Sequence, residues 1–415
     1  MRQEVEEMRN RRLGLLAITF ILGFVMVWTP VMAAETIKLG CLSPLTGPYA
    51  ALGDSQKKNV ELAVELYNKE GGVLGKKVEV LVRDSQMNPG VALRKAQELV
   101  FDQKVDYLVG TLSSSVVKVI SEFSAKNKIL YMGFPQTEAT GKDINRYAFT
   151  GMVSPFMCAM AISKYAFQNH GKKWYALTAD YVWGHNLLKS WIYSSQVSGG
   201  EFLGNTYAPL GASDFSAFLP KIIAANPDFI VFNNLGRDQN AALKQAHEMG
   251  LIGKKKIFCS KTEITTMKEI YPMYDENVFG GVTFYWELQD KYPAAKKYVK
   301  AFWEKYNEPP LQDGEAGFFQ VMALLDALKR AKTTDTEAVI KALEDGKYTL
   351  TKGEEYYQKC NHQRVTSQII LRGKGKRGEG WSMAEVVAEI PARDIMRNCD
   401  QAIKDLPLST IELPK

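Results

Sequence analysis

The chain reads as an α/β protein of two lobes, each built on a doubly wound parallel sheet. Three observations carry that reading. Short β-like runs alternate with amphipathic helical runs over most of the 415 residues, and strand–helix–strand units of this length imply a parallel sheet with helices on both faces. The alternation restarts near "INRYAFTGMVSPFMCAM" with the same grammar and no obvious residue-level repeat. Once an N-terminal leader is set aside, about 380 residues remain, too many for one ordinary core and comfortable for two.

The leader is residues 1–34. "MRQEVEEMRNRR" supplies Arg9, Arg11 and Arg12, the apolar run "LGLLAITFILGFVMVW" follows, and "VMAAE" offers a small-residue cleavage site, which together form a secretory signal pattern. Leu13 to Trp28 is short for a bilayer span, which needs about 20 residues, so cleavage is expected and an uncleaved anchor is the alternative. The start is unusually long and contains Glu4, Glu6 and Glu7, leaving Met1 or Met8 as the initiator. Cys41 follows Lys38-Leu39-Gly40 inside the first predicted strand and does not fit a lipid-anchor site.

In the first series, strand "TIKLGCL" passes through the turn "SPLTGPYAALG" to the helix "DSQKKNVELAVELYNKEGG". Asp54 is the expected N-cap; Val60, Val64 and Tyr67 share a face, and Gly71-Gly72 ends the helix. Strand "KVEVLVRD", helix "PGVALRKAQELVFDQ", strand "DYLVG", helix "SVVKVISEFSAKN" and strand "KILYMGF" complete it. The second series runs from helix "MCAMAISKYAFQNHG" through strand "KWYALTAD", helix "NLLKSWIYSSQV", strand "EFLGNTY" and helix "FSAFLPKIIAANP". Strand "DFIVFNN", helix "RDQNAALKQAHEMG" and strand "KKIFCS" close it. "VFGGVTFYWEL" then leads to helices "PAAKKYVKAFWEKYN" and "GEAGFFQVMALLDALKRA". In the latter Phe318, Val321, Leu324, Leu325 and Leu328 form a core stripe. The tail differs, with hairpin-like segments "HQRVTSQIIL" and "WSMAEVVAEI" around a basic glycine loop.

Several chemistries find no support. Lys and Arg total 52 against 46 Asp and Glu, spread along the chain, which does not suggest nucleic-acid binding. No later apolar stretch is long enough to span a membrane. "GKGKRGEG" contains G-x-G-x-x-G at Gly373, Gly375 and Gly378, but a strand-like segment follows where a dinucleotide fingerprint needs a helix, so an exposed hairpin turn is expected. Four histidines, His170, His185, His247 and His362, lie in polar segments expected to be exposed, with no metal-ligand spacing. No catalytic residue, metal or cofactor is expected. Export permits disulfides; of the five cysteines, Cys360 and Cys399 flank the C-terminal segment and could bridge, with five buried thiols as the alternative.

The strand ends are more informative, because ligands in open α/β sheets sit beyond the carboxyl ends of the strands. Those ends read "SPLTGPYAALGD", "RDSQMNP", "GTLSSS" and "GFPQTEATG", then "TADYVWGHN", "NNLGRDQN" and "CSKTEIT". Turn chemistry accounts for their Ser, Thr, Gly, Asn and Pro. It does not call for Tyr49, Phe134, Tyr181 and Trp183. The serines of "GTLSSS" also open a helix, where hydroxyls and unpaired N–H groups can hold a carboxylate.

With these residues in view, the chain resembles the leucine/isoleucine/valine-binding proteins of ABC transporters, which have the type I periplasmic binding fold. The resemblance rests on "IKLGCLSPLTGPYAALGD", "GGVLGKKVEVLVRDSQMNPGVALRKAQELV", "VDYLVGTLSSS", "DYVWGHN" and "QAHEMGL", in order from Glu35 to the 390s. It implies two doubly wound lobes joined by a three-crossover hinge, 35–153 with 284–354 and 154–283 with 355–415. It also implies a periplasmic, monomeric, non-enzymatic protein that closes on a small solute and delivers it to membrane permease subunits. Leu112, Ser113 and Ser114 match the loop that grips a ligand carboxylate; Ser115 is expected only to cap. Gln136 and Thr137 match the next loop. Trp183, beside Tyr181, falls where many members set a Tyr against the ligand, and Glu263 lies near a position that often receives the ligand's ammonium.

Departures bear on specificity. Leu52 stands where some members have an aromatic residue, and Asn233-Asn234 replaces a Gly-Gly pair. Bulky Phe134, Gln136 and Trp183 leave room for a second expectation, a carboxylate with an aromatic or amide part in place of a branched-chain amino acid. A ligand-sensing receptor domain shares the fold and is the other alternative; this sequence carries no effector or membrane segment after it. "QKCNHQ … NC" resembles a subgroup feature, which supports a Cys360–Cys399 bridge.

Overall fold

The structure, a computed structural model, describes residues 36–134, 137–138, 140–141 and 144–414. The 1–34 leader and Gln136 lie outside the described residues. The first half comprises β1 (Thr36–Ser43), α1 (Ala50–Lys69), β2 (Lys77–Asp84), α2 (Pro89–Gln97), β3 (Tyr107–Gly110), α3 (Ser114–Asn127), β4 (Tyr131–Gly133) and β5 (Ala148–Thr150). The second comprises α4 (Pro155–Asn169), β6 (Lys173–Ala179), α5 (Val182–Ser198), β7 (Glu201–Ala208), α6 (Leu219–Ala225), β8 (Phe229–Asn233), α7 (Gly236–Glu248), β9 (Lys256–Cys259), α8 (Ile264–Glu269) and β10 (Val278–Val282). The rest is α9 (Pro293–Tyr306), α10 (Gln312–Ala331), α11 (Thr336–Glu344), β11 (Lys347–Tyr348), β12 (Glu355–Gln358), β13 (Gln363–Val365), β14 (Gln368–Gly373), β15 (Ala384–Ile390) and α12 (Cys399–Ile403).

Two sheets result, ordered β11-β12-β13-β5-β4-β3-β1-β2 and β15-β14-β10-β9-β8-β6-β7. β1 to β5 pair in parallel, as do β6 to β10. Their central strands β3 and β8 are buried along their whole length, as strands covered by helices on both faces must be. The chain passes between the lobes three times: after β5, after β10 and between β13 and β14. The stripe of α10 packs on α1 in the first lobe, with Phe318, Val321, Leu324, Leu325 and Leu328 all buried. No described helix is long and apolar enough to cross a membrane.

Four local expectations change. Helix α1 begins after Tyr49, so Asp54 is inside it and pairs with Lys58 at 2.7 Å. Gly53 does not break this helix; a Cβ there would lie 1.8 Å from the Pro44 carbonyl, so the loop packs where only glycine fits. "HQRVTSQIIL" is not one hairpin arm, since β13 belongs to the first sheet and β14 to the second. Residues 355–365 therefore lie with the first lobe, moving the expected boundary at 354/355. Gln363 pairs with Thr150 of β5, and fully buried Arg364 lies between Glu315 (2.6 Å) and Glu355 (2.7 Å). His362 is buried, not exposed: it stacks on Phe149 at 3.9 Å, with Nε2 3.0 Å from a Glu344 oxygen.

The basic glycine loop joins antiparallel β14 and β15, and Cys360 is disulfide-bonded to Cys399. Cys41, Cys158 and Cys259 are buried free thiols.

Candidate functional site: the cleft between the lobes

Both parallel sheets reverse their strand order, between β1 and β3 in one lobe and between β6 and β8 in the other. Such switch points open a crevice at the carboxyl ends of the strands. At the end of β3, Gly110 and Thr111 take positive φ, 110° and 73°. A Cβ on Gly110 would lie 2.3 Å from the Leu42 carbonyl, which demands glycine. The Thr111 backbone costs about 1–3 kcal/mol and persists only where its surroundings hold it. They do: its hydroxyl lies 2.6 Å from the Tyr131 hydroxyl, and Gln56 Nε2 donates to its carbonyl at 2.9 Å.

This turn delivers Leu112, Ser113 and Ser114 to the cleft edge, all three buried. Ser113 occupies the N-cap position of α3, yet its side chain makes no capping hydrogen bond. Ser114 opens the helix and Ser115 follows inside it, which corrects the expectation that Ser115 is the cap. Phe134, expected in the site, belongs to the first-lobe core, where it packs beside Gly317 of α10.

In the second lobe, Tyr181 is the N-cap residue of α5 and Trp183 is its second residue, with ring centroids 6.0 Å apart. Burial, above all, pushes the Tyr181 phenol well above its usual range. Asn233 is engaged within the lobe: its Oδ1 accepts from Ser260 Oγ at 2.6 Å, and its Nδ2 donates to Thr178 Oγ1 at 3.3 Å. The neighbouring Asn234 has both amide atoms buried without a partner. Thr262 Oγ1, Glu263 Oε1 and Thr283 Oγ1 are in the same condition. Folded proteins leave few buried polar atoms unmatched, and these gather beyond the ends of β8, β9 and β10.

Across the cleft, Lys261 Nζ meets both oxygens of Asp313 at 2.7 and 2.8 Å, in a pair almost without solvent exposure. Lys261 follows β9 in the second lobe; Asp313 is in the first turn of α10, in the first. Glu263 is 5% exposed, and its carboxyl is pushed well above the usual range, by burial first and by Asp313 next. Tyr49 of the first lobe donates to Asp238 of the second at 3.4 Å. Tyr49, Leu52, Leu112, Trp183 and Leu235 belong to one apolar cluster that spans both lobes.

Met87, Leu112 and Ser114 from one lobe and Tyr181, Trp183, Leu235 and Lys261 from the other line a single cavity of about 10 Å³. That is room for roughly one water, so the lobes are shut on each other's side chains. Thr137 lines a larger space, about 360 Å³, beside α3, together with Ser114 and Asn186. Among the described residues no cluster of His, Cys, Asp and Glu could hold a metal ion. Lys261 and Asp313 were not singled out by sequence reasoning, and Asn234 only as half of the Asn233-Asn234 pair. Lys261 lies in the strand-end loop "CSKTEIT", whereas Asp313 opens a distant helix and carries no local signal.

A family profile described as "Periplasmic binding protein" matches residues 36–378. The chain is 28% identical over 326 residues to Leu/Ile/Val-binding protein homolog 3 of Brucella melitensis, covering 76% of this chain and 85% of the relative. A solved amino acid ABC transporter substrate-binding protein from Pseudomonas fluorescens Pf-5 is 26% identical, with a TM-score of 0.82 and coverage of 89% and 99% of the two chains. A Rhodopseudomonas palustris BisB5 ABC transporter solute binding protein, solved with 3,4-dihydroxybenzoic acid, shares the fold at 20% identity, a TM-score of 0.78 and coverage of 86% and 98%. With two doubly wound lobes meeting at their switch points, the chain belongs to the periplasmic binding protein family, of the type that includes the Leu/Ile/Val-binding proteins of ABC transporters.

Proposed function

We propose that this protein is the periplasmic solute-binding component of an ABC importer, not an enzyme, and that it closes its lobes on a small carboxylate-bearing solute. The observation that carries the reading is the shared lining of one cavity by Ser114, at a helix start, and by Tyr181, Trp183 and Lys261 of the opposite lobe. The carboxylate accepts from the Ser113 and Ser114 hydroxyls and from first-turn N–H groups of α3. Tyr181 and Trp183 cover the apolar part of the solute. Asn234 and Glu263, rather than the internally bonded Asn233, offer polar atoms. The loop of Gln136 and Thr137 flanks the larger space beside α3.

Magnitudes explain why both lobes are needed. A micromolar site requires about 8 kcal/mol net. A charge-assisted hydrogen bond contributes about 1.5–3 kcal/mol, and the helix dipole about 0.3–1. Ordering costs take part of that away, so burial by the second lobe supplies the remainder and binding selects the closed form. That form is what the permease reads. Export follows from the 1–34 leader, and the protein acts as a monomer. The relatives' names make branched-chain amino acids one candidate class, and aromatic acids or amides are the other.

A ligand that binds only the folded state raises its melting temperature, so a thermal-shift screen of amino acids, aromatic acids and amides identifies the solute. Ser113→Ala with Ser114→Ala is then expected to weaken binding by about tenfold or more, the loss of one or two charge-assisted bonds, with an unchanged circular dichroism spectrum. Unchanged affinity by calorimetry would remove the helix-terminus grip.

A further inference from the structure

We propose that Lys261 is a specificity-determining residue that selects carboxylic acids lacking an α-ammonium group. This rests on the reading that the cleft holds a carboxylate, and it narrows the solute class.

A ligand ammonium in this cleft needs an acid free to receive it. Three acids stand there, Asp313 from the first lobe and Glu263 and Asp238 from the second, and all are buried. Asp238 is held through Oδ2, which accepts from the Gly211 N–H at 2.7 Å and from Tyr49 at 3.4 Å, and burial pushes its carboxyl above the usual range. Asp313 is already taken: Lys261 Nζ contacts both of its oxygens, at 2.7 and 2.8 Å. Glu263, two residues beyond Lys261, is next to the same Asp313, and burial together with that carboxylate favours its neutral form. Two carboxylates this close share a proton readily, so one ammonium from Lys261 balances the group. The protein's own cation thus fills the role that a ligand ammonium would play.

Lys261 is also part of the solute cavity, which it lines with Leu112, Ser114 and Trp183. The start of α3 favours an anion there, and Lys261 already balances the acids that would otherwise attract a cation. A second ammonium brought to Glu263 would sit beside Lys261 on one acid pair, and like charges set together reject a partner. Unpartnered atoms on Asn234, Thr262 and Thr283 are neutral groups suited to a hydroxyl, carbonyl or amide of the solute.

The test compares matched pairs by calorimetry on the full chain near neutral pH: isocaproate with leucine, and hydrocinnamate with phenylalanine. The deamino acid is expected to bind tighter by about tenfold or more, and Lys261→Met is expected to narrow or reverse that preference by freeing Asp313 and Glu263. Leucine or phenylalanine binding as tightly as its deamino partner overturns the role of Lys261 and leaves the carboxylate cleft standing. Binding of neither acid nor amino acid, with benzoate and its hydroxylated forms also silent, overturns the carboxylate cleft and this inference with it. The wild-type comparison decides even if Lys261→Met does not fold.

Discussion

At the scale of single residues, the buried charges divide into those that hold the hinge and those that face the cleft. Lys352 belongs to the first kind. Its Nζ donates to the Thr283 carbonyl at 2.7 Å and to the Ser367 carbonyl at 2.8 Å, one on each of two interlobe connections. Burial brings its pKa down from 10.5 to about 8, partly offset by Glu355 and Glu315. The folded value lies below the unfolded one, so between these values the unfolded chain binds the extra proton and stability rises with pH. The contribution is complete above pH 10.5 and is lost as pH falls through about 8. Urea unfolding of wild type and Lys352→Met is therefore expected to show wild type gaining on the variant across that window. A constant difference between the two would mean that Lys352 does not titrate as its burial implies.

At the scale of elements, the C-terminal segment is a further tie between lobes. β15 ends at Ile390 in the second sheet, while Cys399 is bonded to Cys360 between β12 and β13 of the first. Arg397, between these points, packs over Phe156 of α4 at 4.6 Å and lies 3.4 Å from Glu138. The disulfide closes a loop with a sequence separation of 39, for which chain entropy gives about 4 kcal/mol of stabilisation. Cys360→Ser with Cys399→Ser is expected to lower unfolding free energy by roughly 2–5 kcal/mol, measured by denaturant titration without reductant. A loss below about 1 kcal/mol would show that the unfolded chain gains little freedom from the cut.

For the whole molecule, the decisive contacts are those that bridge the lobes. Tyr49–Asp238 and Lys261–Asp313 do so directly, side chain to side chain. Removing one partner of a buried ion pair leaves the other charge uncompensated, and parting the lobes lets water reach it. Asp313→Asn is thus expected to raise the radius of gyration of the ligand-free protein in small-angle scattering, with saturating solute reversing the change. Scattering identical to wild type would show that this pair does not keep the lobes together. The expected size of a compact chain of this length, about 21 Å, makes a modest opening measurable.

Much of this was legible in the sequence. Alternation of short apolar runs with amphipathic helices suffices for two parallel sheets, because each element must bury one face or two. The serines after "YLVGTL" and the aromatics of "DYVWGHN" stood out because they lie at strand ends, where a doubly wound sheet opens its crevice. Other features were hidden for physical reasons. Asp54 has the side chain of an N-cap, yet the helix starts after Tyr49, with Gly53 inside it against the Pro44 carbonyl, and "HQRVTSQIIL" gave no sign that its strands would join different sheets. Asn233 and Asn234 are indistinguishable in sequence; only hydrogen-bond partners reveal that one is spent inside the lobe and the other is not. Lys261 and Asp313 stand 52 residues apart and in different lobes. Local pattern determines which elements form and where a crevice opens, since both follow from neighbours along the chain. Which charges meet in that crevice depends on how the lobes close, and the tertiary structure alone decided it.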